Sequence, residues 1–321
     1  MAPTTSKIAC IGGVVMDRKV RAAGEFRSGT SNPVSVTTSS GGVAANIAQC
    51  LARLGCRVSM FSILGDDPAS DIVLRDLKAA GVDVTSLLRS NMHPTANYSA
   101  LLQPSGELFI GLADMAIFEE LDSAWADRIA PRLEECPLWV VDANLPAATI
   151  DRLLLAHKRK ATVLADPISI DKSTRFRRAL SAIDVFFPNR KEAAELTGHA
   201  VETRGDVIHA AAELRARGIG TVVLTLGGDG VYVDDAQGGR FLAAIPPQKV
   251  VDVTGAGDAL VAGYAYGLLH QGSHGPALLG LAAASLAVET SDSIPAELQP
   301  ERLIERIESN VRRGKAHESI S

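Results

Sequence analysis

DVTGAGDAL spans residues 252–260: two acids bracket a run of very small residues, and an apolar run follows at once. Side chains this small let a ligand approach the backbone closely. The stretch sits between a strand and a predicted helix over about 256–270. The first N–H groups of a helix have no partners inside it and carry partial positive charge. Gly255, Ala256 and Gly257 therefore read as an anion hole. Asp258 is then out of place, since an acid beside a bound phosphate repels it. Its position makes sense if the acid removes a proton from a hydroxyl that attacks the phosphorus. The plain alternative is a carboxylate stabilising its own helix. Taken alone, the stretch does not separate the two.

Working outward, TLGGDGVYV (225–233) places Thr225, Gly227, Gly228 and Gly230 between two strands. It reads either as a hairpin turn or as a loop lying along a nucleotide. PNRKEAAEL (188–196) puts Asn189 and Glu192 three apart at a helix start. That spacing suits a helix cap, or a polar pair holding a hydrated Mg²⁺ near phosphates. The chain has no GxxxxGK[ST], no HExxH and no paired CxxC, so P-loop and zinc enzymes lack their basic signals. A dinucleotide oxidoreductase would want GxGxxG after the first strand, and GGVVMD (12–17) does not supply it.

The composition is that of a globular protein: 321 residues, 46% apolar, 21% charged, with a formal net charge of −5. Lys and Arg are spread along the chain, so no nucleic-acid surface is expected. Cys10, Cys50, Cys56 and Cys136 lie in apolar settings and read as buried thiols of a reducing compartment. The start, MAPTTSKIACIGG, lacks the basic region of a signal peptide. The longest apolar stretch, Ala277–Val288, is too short to span a bilayer. These features predict a soluble, cytoplasmic protein without a membrane partner.

The periodicity predicts strands at KIACIGGVV (7–15), RVSMFSIL, LWVVDA, ATVLADP, DVFFPN and TVVLTLG. Helices are expected from Gly42 to Gly55, over about 68–80, and near 146–157, 174–181 and 190–217. Further helices are expected at about 256–270, 275–288 and 300–312. Short apolar strands joined by amphipathic helices imply a parallel sheet covered on both faces. NYSALLQPSGELFIGLA reads as a hairpin turning at Pro104-Ser105-Gly106, and GVYVDD with GRFLAAI as another. The expectation is one α/β domain, with a small β lid from segments about 15–40 and 95–113 inserted into it.

Together these stretches resemble the ribokinase-like sugar kinases, the PfkB family. The resemblance covers nearly the whole chain. It rests on GGVVMD (12–17), GGVAAN (41–46), NRKE (189–192), TLGGDG (225–230) and, most specifically, DVTGAGDALVAG (252–263). It implies a three-layer α/β sandwich with a mostly parallel central sheet and a small β-sheet lid. It also implies ATP and Mg²⁺. Asp258 would be the catalytic base, with Gly255, Ala256 and Gly257 around the transferred phosphoryl group. Asp17, Gly41, Gly42 and Asn46 would grip sugar hydroxyls. Asn189, Thr225, Gly227, Gly228 and Gly230 would hold the nucleotide, and Glu192 would reach Mg²⁺ through water. Some relatives bind K⁺ beside the anion hole, and here Asp252 with the segment 289–293 is the candidate site.

Four further stretches resemble the pseudouridine kinase subgroup: TSNPVSV (30–36), LADMAIFEEL (112–121), VDANL (141–145) and ADPISIDKS (165–173). The matches include Ser31, Asn32, Pro33, Asp114, Met115, Asp142, Asn144, Asp166, Pro167, Ser169 and Lys172. Val34 stands where the subgroup has Gly, Ala113 where it has Asn, and Ala45 where a basic residue is common. The subgroup resemblance implies phosphorylation of the 5′-hydroxyl of pseudouridine. Thr30, Ser31, Asn32, Asp114, Met115, Asn144 and Lys172 would lie on the substrate side, and the chain would form a homodimer through the lid. In α/β sheets ligands bind beyond the carboxyl ends of strands, where Asn144, Asp166–Lys172 and Asn189 all fall. SNP also reads as a simple turn, and Lys172 as a solvated lysine at a helix start. The competing functions are a kinase for ribose or another nucleoside, and a non-catalytic nucleoside sensor. A sensor would be expected to lose the acid present at Asp258.

Overall fold

Ile8 and Cys10 face one side of the first strand and Ala9 and Ile11 the other, and all four are fully buried. A strand packed on both faces belongs in the middle of a parallel sheet between two helix layers. The computed structural model bears this out and describes residues 7–156, 160–270, 272, 274–292 and 294–318, without the side chains of 313–318. Expectations that fall on residues 1–6 and on Ser293 lie outside the described residues.

The first half of the chain forms β1 (Lys7–Ile11), β2 (Val15–Ala22), β3 (Val34–Gly41), α1 (Val43–Arg53), β4 (Arg57–Gly65), α2 (Pro68–Ala79), β5 (Asp83–Ser90), β6 (Asn97–Leu102), β7 (Leu108–Asp114), α3 (Ser123–Leu133) and β8 (Leu138–Asp142). The second half forms α4 (Ala147–Ala156), β9 (Thr162–Asp166), α5 (Ile170–Ser173), β10 (Val185–Phe186), α6 (Arg190–Thr197), α7 (Arg204–Ala216), β11 (Thr221–Thr225), β12 (Val231–Asp235), β13 (Gly238–Leu242), α8 (Ala256–Leu269), α9 (Pro276–Ala287) and α10 (Pro300–Glu318). Nine strands make the main sheet in the order β13-β12-β11-β10-β9-β8-β1-β4-β5. All its pairs are parallel except β11–β12 and β12–β13. Helices α1, α2, α8, α9 and α10 contribute to the core on one face, and α3, α4, α6 and α7 to that on the other.

A second sheet has the order β3-β2-β6-β7. Its register puts Val36, Val20, Leu101 and Ile110 in one row across one face. Asp17 and Lys19, which alternate with Arg18 and Val20 along β2, project to the other face. The apolar face is open: Val36 is 46% exposed, Ile110 44% and Leu112 51%.

Four elements differ from the sequence reading. β5 was not anticipated, because DVTSLLRS mixes polar and apolar residues; as an edge strand, paired only with β4, it needs no apolar run. α3 was not anticipated because Pro131 reads as a breaker; it stands in the last turn, behind a buried stripe of Trp125, Ala126, Ile129 and Leu133. The helix expected over 190–217 is two helices, since Gly198 ends α6 in the left-handed region at φ 82°. The helix expected over 174–181 is instead the short α5 followed by 3₁₀ turns at Thr174–Phe176 and Leu180–Ala182. Tertiary contact fixes that segment: the Arg175 guanidinium donates to the carbonyls of Ala143, Asn144 and Leu145 at 3.3, 2.9 and 3.1 Å.

Candidate active site

Gly255 caps α8 with φ 79°, a conformation that costs little only for glycine. The Ala259 N–H donates back to the Gly255 carbonyl at 2.9 Å. The N–H groups of Gly257 and Asp258 precede that bond at the positive end of the helix. Asp258 is half-buried, and its Oδ2 accepts from the Asn46 side-chain amide at 2.8 Å. Burial pushes its carboxyl up to about 7; the charges of Asp142 and Asp17 add to the shift and the Asn46 hydrogen bond opposes it. A carboxylate titrating near neutrality is suited to accept a proton. Asn46 is itself buried, and its Oδ1 has no hydrogen-bond partner among the described residues. A buried acceptor left open next to an acid is a place for a ligand hydroxyl.

Asp17, on β2, is raised to about 6 by burial, with Lys19 opposing. Gly41 lies against it: a Cβ at position 41 would fall 2.0 Å from Asp17 Oδ2, so no side chain fits there. Gly42 caps α1 and carries it directly away from this point. Asp17, Gly41, Gly42 and Asn46 thus gather around the N-termini of α1 and α8.

A cavity of about 180 Å³ adjoins them, lined by Asp166, Ile168, Asn189, Glu192, Thr225, Gly257 and Asp258 among others. Asn189 and Glu192 form a full capping box: Asn189 Oδ1 accepts from Glu192 N at 3.0 Å, and Glu192 Oε2 accepts from Asn189 N at 2.8 Å. The helix-cap reading is therefore true of both, while both also face the cavity. Burial, followed by the charges of Asp258 and Glu192, holds the Asp166 carboxyl well above its ordinary value. Burial also raises Glu192. Oxygen donors of this kind, mutually repelling, suit a hard divalent cation such as Mg²⁺.

Beside this lies a chain of hydrogen bonds that begins at Asp142, a fully buried acid at the end of β8. Its Oδ2 accepts from Gly13 N and Ala44 N, both at 2.9 Å, and its Oδ1 from Asn144 N at 2.8 Å. Asn144 Oδ1 in turn accepts from Lys172 Nζ at 2.6 Å. Lys172 is therefore not a freely solvated lysine; burial lowers its pKa. Asp142 was noticed in the sequence only as part of VDANL and given no role. The signal that marks it is an acid closing a run of buried apolar strand residues, which cannot be left unpartnered. Ile168 was also missed. It alone among described non-glycine residues has positive φ, at 63°, held by a bond from its N–H to Asp166 Oδ1 at 2.8 Å.

Other predicted residues stand apart from the cavity. Thr30 and Ser31 are exposed, and the Asn32 side chain is spent on its own loop. It accepts from Arg27 N at 2.8 Å and donates to the carbonyls of Arg27 and Thr30 at 2.9 and 3.1 Å. Asp114 is exposed at the end of β7, and Met115 packs on the core. Gly227, Gly228 and Gly230 form the tight turn between β11 and β12, so the hairpin reading holds for their backbone. Asp252 Oδ2 accepts from Lys19 Nζ at 2.9 Å, and its Oδ1 accepts from Thr254 N and Oγ1 at 2.9 and 2.7 Å. Both carboxylate oxygens at the candidate K⁺ position thus already carry donors.

The sequence matches the family model for pfkB family carbohydrate kinase over residues 5–299, and the chain belongs to that family. It is 34% identical over 235 residues to a pseudouridine kinase of Escherichia coli (strain K12), covering 73% of this chain and 75% of that one. Its fold superposes on the carbohydrate kinase from Agrobacterium tumefaciens with a TM-score of 0.83 at 30% identity, covering 94% and 97% of the two chains. Against the structure of Arabidopsis thaliana ribokinase complexed with ribose and ATP the TM-score is 0.84 at 24% identity, covering 96% and 99%. The fold is thus the ribokinase-like α/β fold, and the chain is a sugar or nucleoside kinase of that family.

The Asp258 carboxyl has a consequence for stability. Its value is about 7 in the folded chain against 3.8 for an ordinary aspartate. Between those values the folded state binds the additional proton, so this group's contribution is present at low pH and lost as pH rises through about 7. Asp258→Asn removes the desolvated charge. The variant should unfold at a higher temperature than the parent at pH 8, with the gap narrowing at pH 5. Thermal melts at the two pH values check this, and a gap independent of pH would contradict it.

Proposed function

We propose that this chain is an ATP-dependent kinase that phosphorylates the 5′-hydroxyl of pseudouridine, giving pseudouridine 5′-phosphate and ADP. The observation that carries the phosphotransfer reading is Asp258, raised to about 7 and held by Asn46 at the N-terminus of α8. In this reading Asp258 takes the proton of the 5′-hydroxyl, whose oxygen attacks the γ-phosphorus of ATP. The bond to the β–γ bridging oxygen breaks, and ADP leaves. The N–H groups around Gly255, Ala256 and Gly257 face the charge on the transferring group, where fixed donors act most strongly. Asp17 and the open Oδ1 of Asn46 orient the sugar, with Gly41 and Gly42 leaving it room.

Asp166, Glu192 and Asn189 are the residues that would hold a hydrated Mg²⁺ beside the cavity. When bound, Mg²⁺ neutralises charge on the phosphates of ATP. Thr225 lines the same cavity, and the turn at Gly227, Gly228 and Gly230 lies next to it in the chain, where the nucleotide would run. The K⁺ reading at Asp252 is the weaker part, because Lys19 already supplies that carboxylate with a cation.

The 34% identity to a pseudouridine kinase supports the choice of substrate, as do the matched Asn144 and Lys172, joined at 2.6 Å. A specific observation favours a second reading, a kinase for ribose or another nucleoside. Thr30, Ser31 and Asn32, the residues assigned to the base, do not line the cavity, and Asn32 is occupied by its own loop. In the pseudouridine reading the small sheet acts as a lid of a single kinase domain, and that loop moves when substrate binds. We further propose a homodimer formed through the open apolar face of the lid, and a cytoplasmic setting. Four buried free cysteines support the latter. No helix among the described residues is long and apolar enough to cross a membrane.

Three outcomes are expected. With ATP and Mg²⁺, pseudouridine should be phosphorylated well above uridine, adenosine, ribose and fructose; faster turnover of ribose or adenosine would move the assignment to the second reading. Asp258→Asn should slow the single-turnover chemical step ~10²–10⁴-fold while nucleoside binding changes little; an unchanged rate would leave Asp258 a helix-end carboxylate. Ile110→Glu should shift the chain from dimer to monomer in sedimentation, and an unaltered assembly would place any interface elsewhere.

A further inference from the structure

At the other end of α6 from Asn189 and Glu192, the loop after that helix and the outer face of α7 bring three metal-ligating side chains together. His209 and Glu213 stand four apart on α7 and so share one face of the helix. The left-handed turn at Gly198 throws His199 onto the same face. One ligand atom from each of His199, His209 and Glu213 lies within 4.8 Å of the others. His199 Nε2 is 3.1 Å from Glu213 Oε2, and the two imidazole rings are 5.0 Å apart. From this geometry we propose that His199, His209 and Glu213 form a site for a borderline transition-metal dication, Zn²⁺ by preference, separate from the Mg²⁺-dependent chemistry.

Zn²⁺ binds imidazole nitrogen at ~2.0–2.1 Å and carboxylate oxygen at ~2.0–2.2 Å in a tetrahedron. The edge of such a tetrahedron is ~3.3 Å, which follows from those bond lengths. The His199–Glu213 separation already has this length, so only the exposed His209 must close in. The surrounding groups agree. His199 Nδ1 faces the Ala200 carbonyl at 3.4 Å, which directs Nε2 toward the metal, as the second ring nitrogen of a ligating histidine commonly does. Glu213 Oε1 is held by Arg217, leaving Oε2 for the ion. The Asp206 carboxylate lies close enough to feel His199 and adds negative field. His199 and Glu213 keep about a third of their surface, so water can fill a fourth position. The donor set is two nitrogens and one oxygen, unlike the all-oxygen set around Asp166 and Glu192. That difference selects Zn²⁺ over Mg²⁺. The ion would pin the loop of residues 198–203 to α7.

The sequence did not show this site, because only the spacing of His209 and Glu213 is visible along the chain. The four cysteines, the other soft ligands, are all buried and do not compete.

The test is titration calorimetry of untagged, chelator-treated full-length protein with ZnCl₂, alongside the visible spectrum with Co²⁺. The expected result is one high-affinity equivalent per chain, a tetrahedral Co²⁺ spectrum and a rise in melting temperature with Zn²⁺. His209→Ala and Glu213→Gln should each weaken Zn²⁺ binding at least tenfold while Mg²⁺-supported kinase activity stays unchanged. His209 is exposed, so its replacement by alanine leaves the fold intact, which circular dichroism verifies. Absence of bound Zn²⁺ in the parent, or undiminished affinity in both variants, overturns the proposal. In the second case the ion sits on the carboxylates of the kinase site.

Discussion

Asp142 has no exposed surface, and through it four parts of the chain are fixed to each other. Its carboxylate takes hydrogen bonds from the turn after β1, from the first turn of α1 and from the residue two places after itself. Through Asn144 it also positions Lys172. A buried carboxylate without partners is too costly to keep, so removing any of these donors would leave an uncompensated group in the core. The positive end of α1 adds to the balance. With β8, β1 and α1 locked together, Gly41, Gly42 and Asn46 have one place to be. Asn46 then meets Asp258 of α8, 212 residues further along the chain and on the same face of the sheet.

The same region concentrates negative charge. Asp142 and Asp166 end β8 and β9, Glu192 and Asp258 stand in the first turns of α6 and α8, Asp17 lies early in β2, and burial raises every one of them. Such crowding works against folding, and proteins tolerate it where function needs it. Ile168 belongs to the same pattern. A β-branched residue at φ 63° costs ~1–3 kcal/mol and persists only where its surroundings hold it, here by the bond to Asp166. Cations, phosphate and substrate hydroxyls would each find a complementary partner in this region.

The small sheet shows how one element serves two demands. Its polar face carries Asp17 and Lys19, and Lys19 reaches across to Asp252, shortly before the start of α8. Its other face carries an apolar row in which Val36 and Ile110 are exposed among the described residues. Alternation along a strand makes both possible at once, since neighbouring side chains point to opposite faces.

Periodicity determined most of the fold. Strands such as KIACI and LWVVD are apolar on both faces, and the helices between them carry one apolar stripe, so a parallel sheet between helix layers follows. Local chemistry determined where α8 begins, because GAG before a long apolar helix needs no distant partner to be read. Apart from the split at Gly198, what failed locally had a tertiary cause. β5 is held as an edge strand by β4, α3 continues past Pro131 on the strength of its buried stripe, and the Arg175 carbonyl bonds shape 170–182. The site was legible as a set of motifs, but not as a set of contacts. That Asn46 holds Asp258, that Asp142 is the hub and that Lys19 sits on Asp252 are facts of long-range packing. Hydrogen bonds between residues 98 to 233 positions apart leave no spacing in the sequence, and only the folded chain decides them.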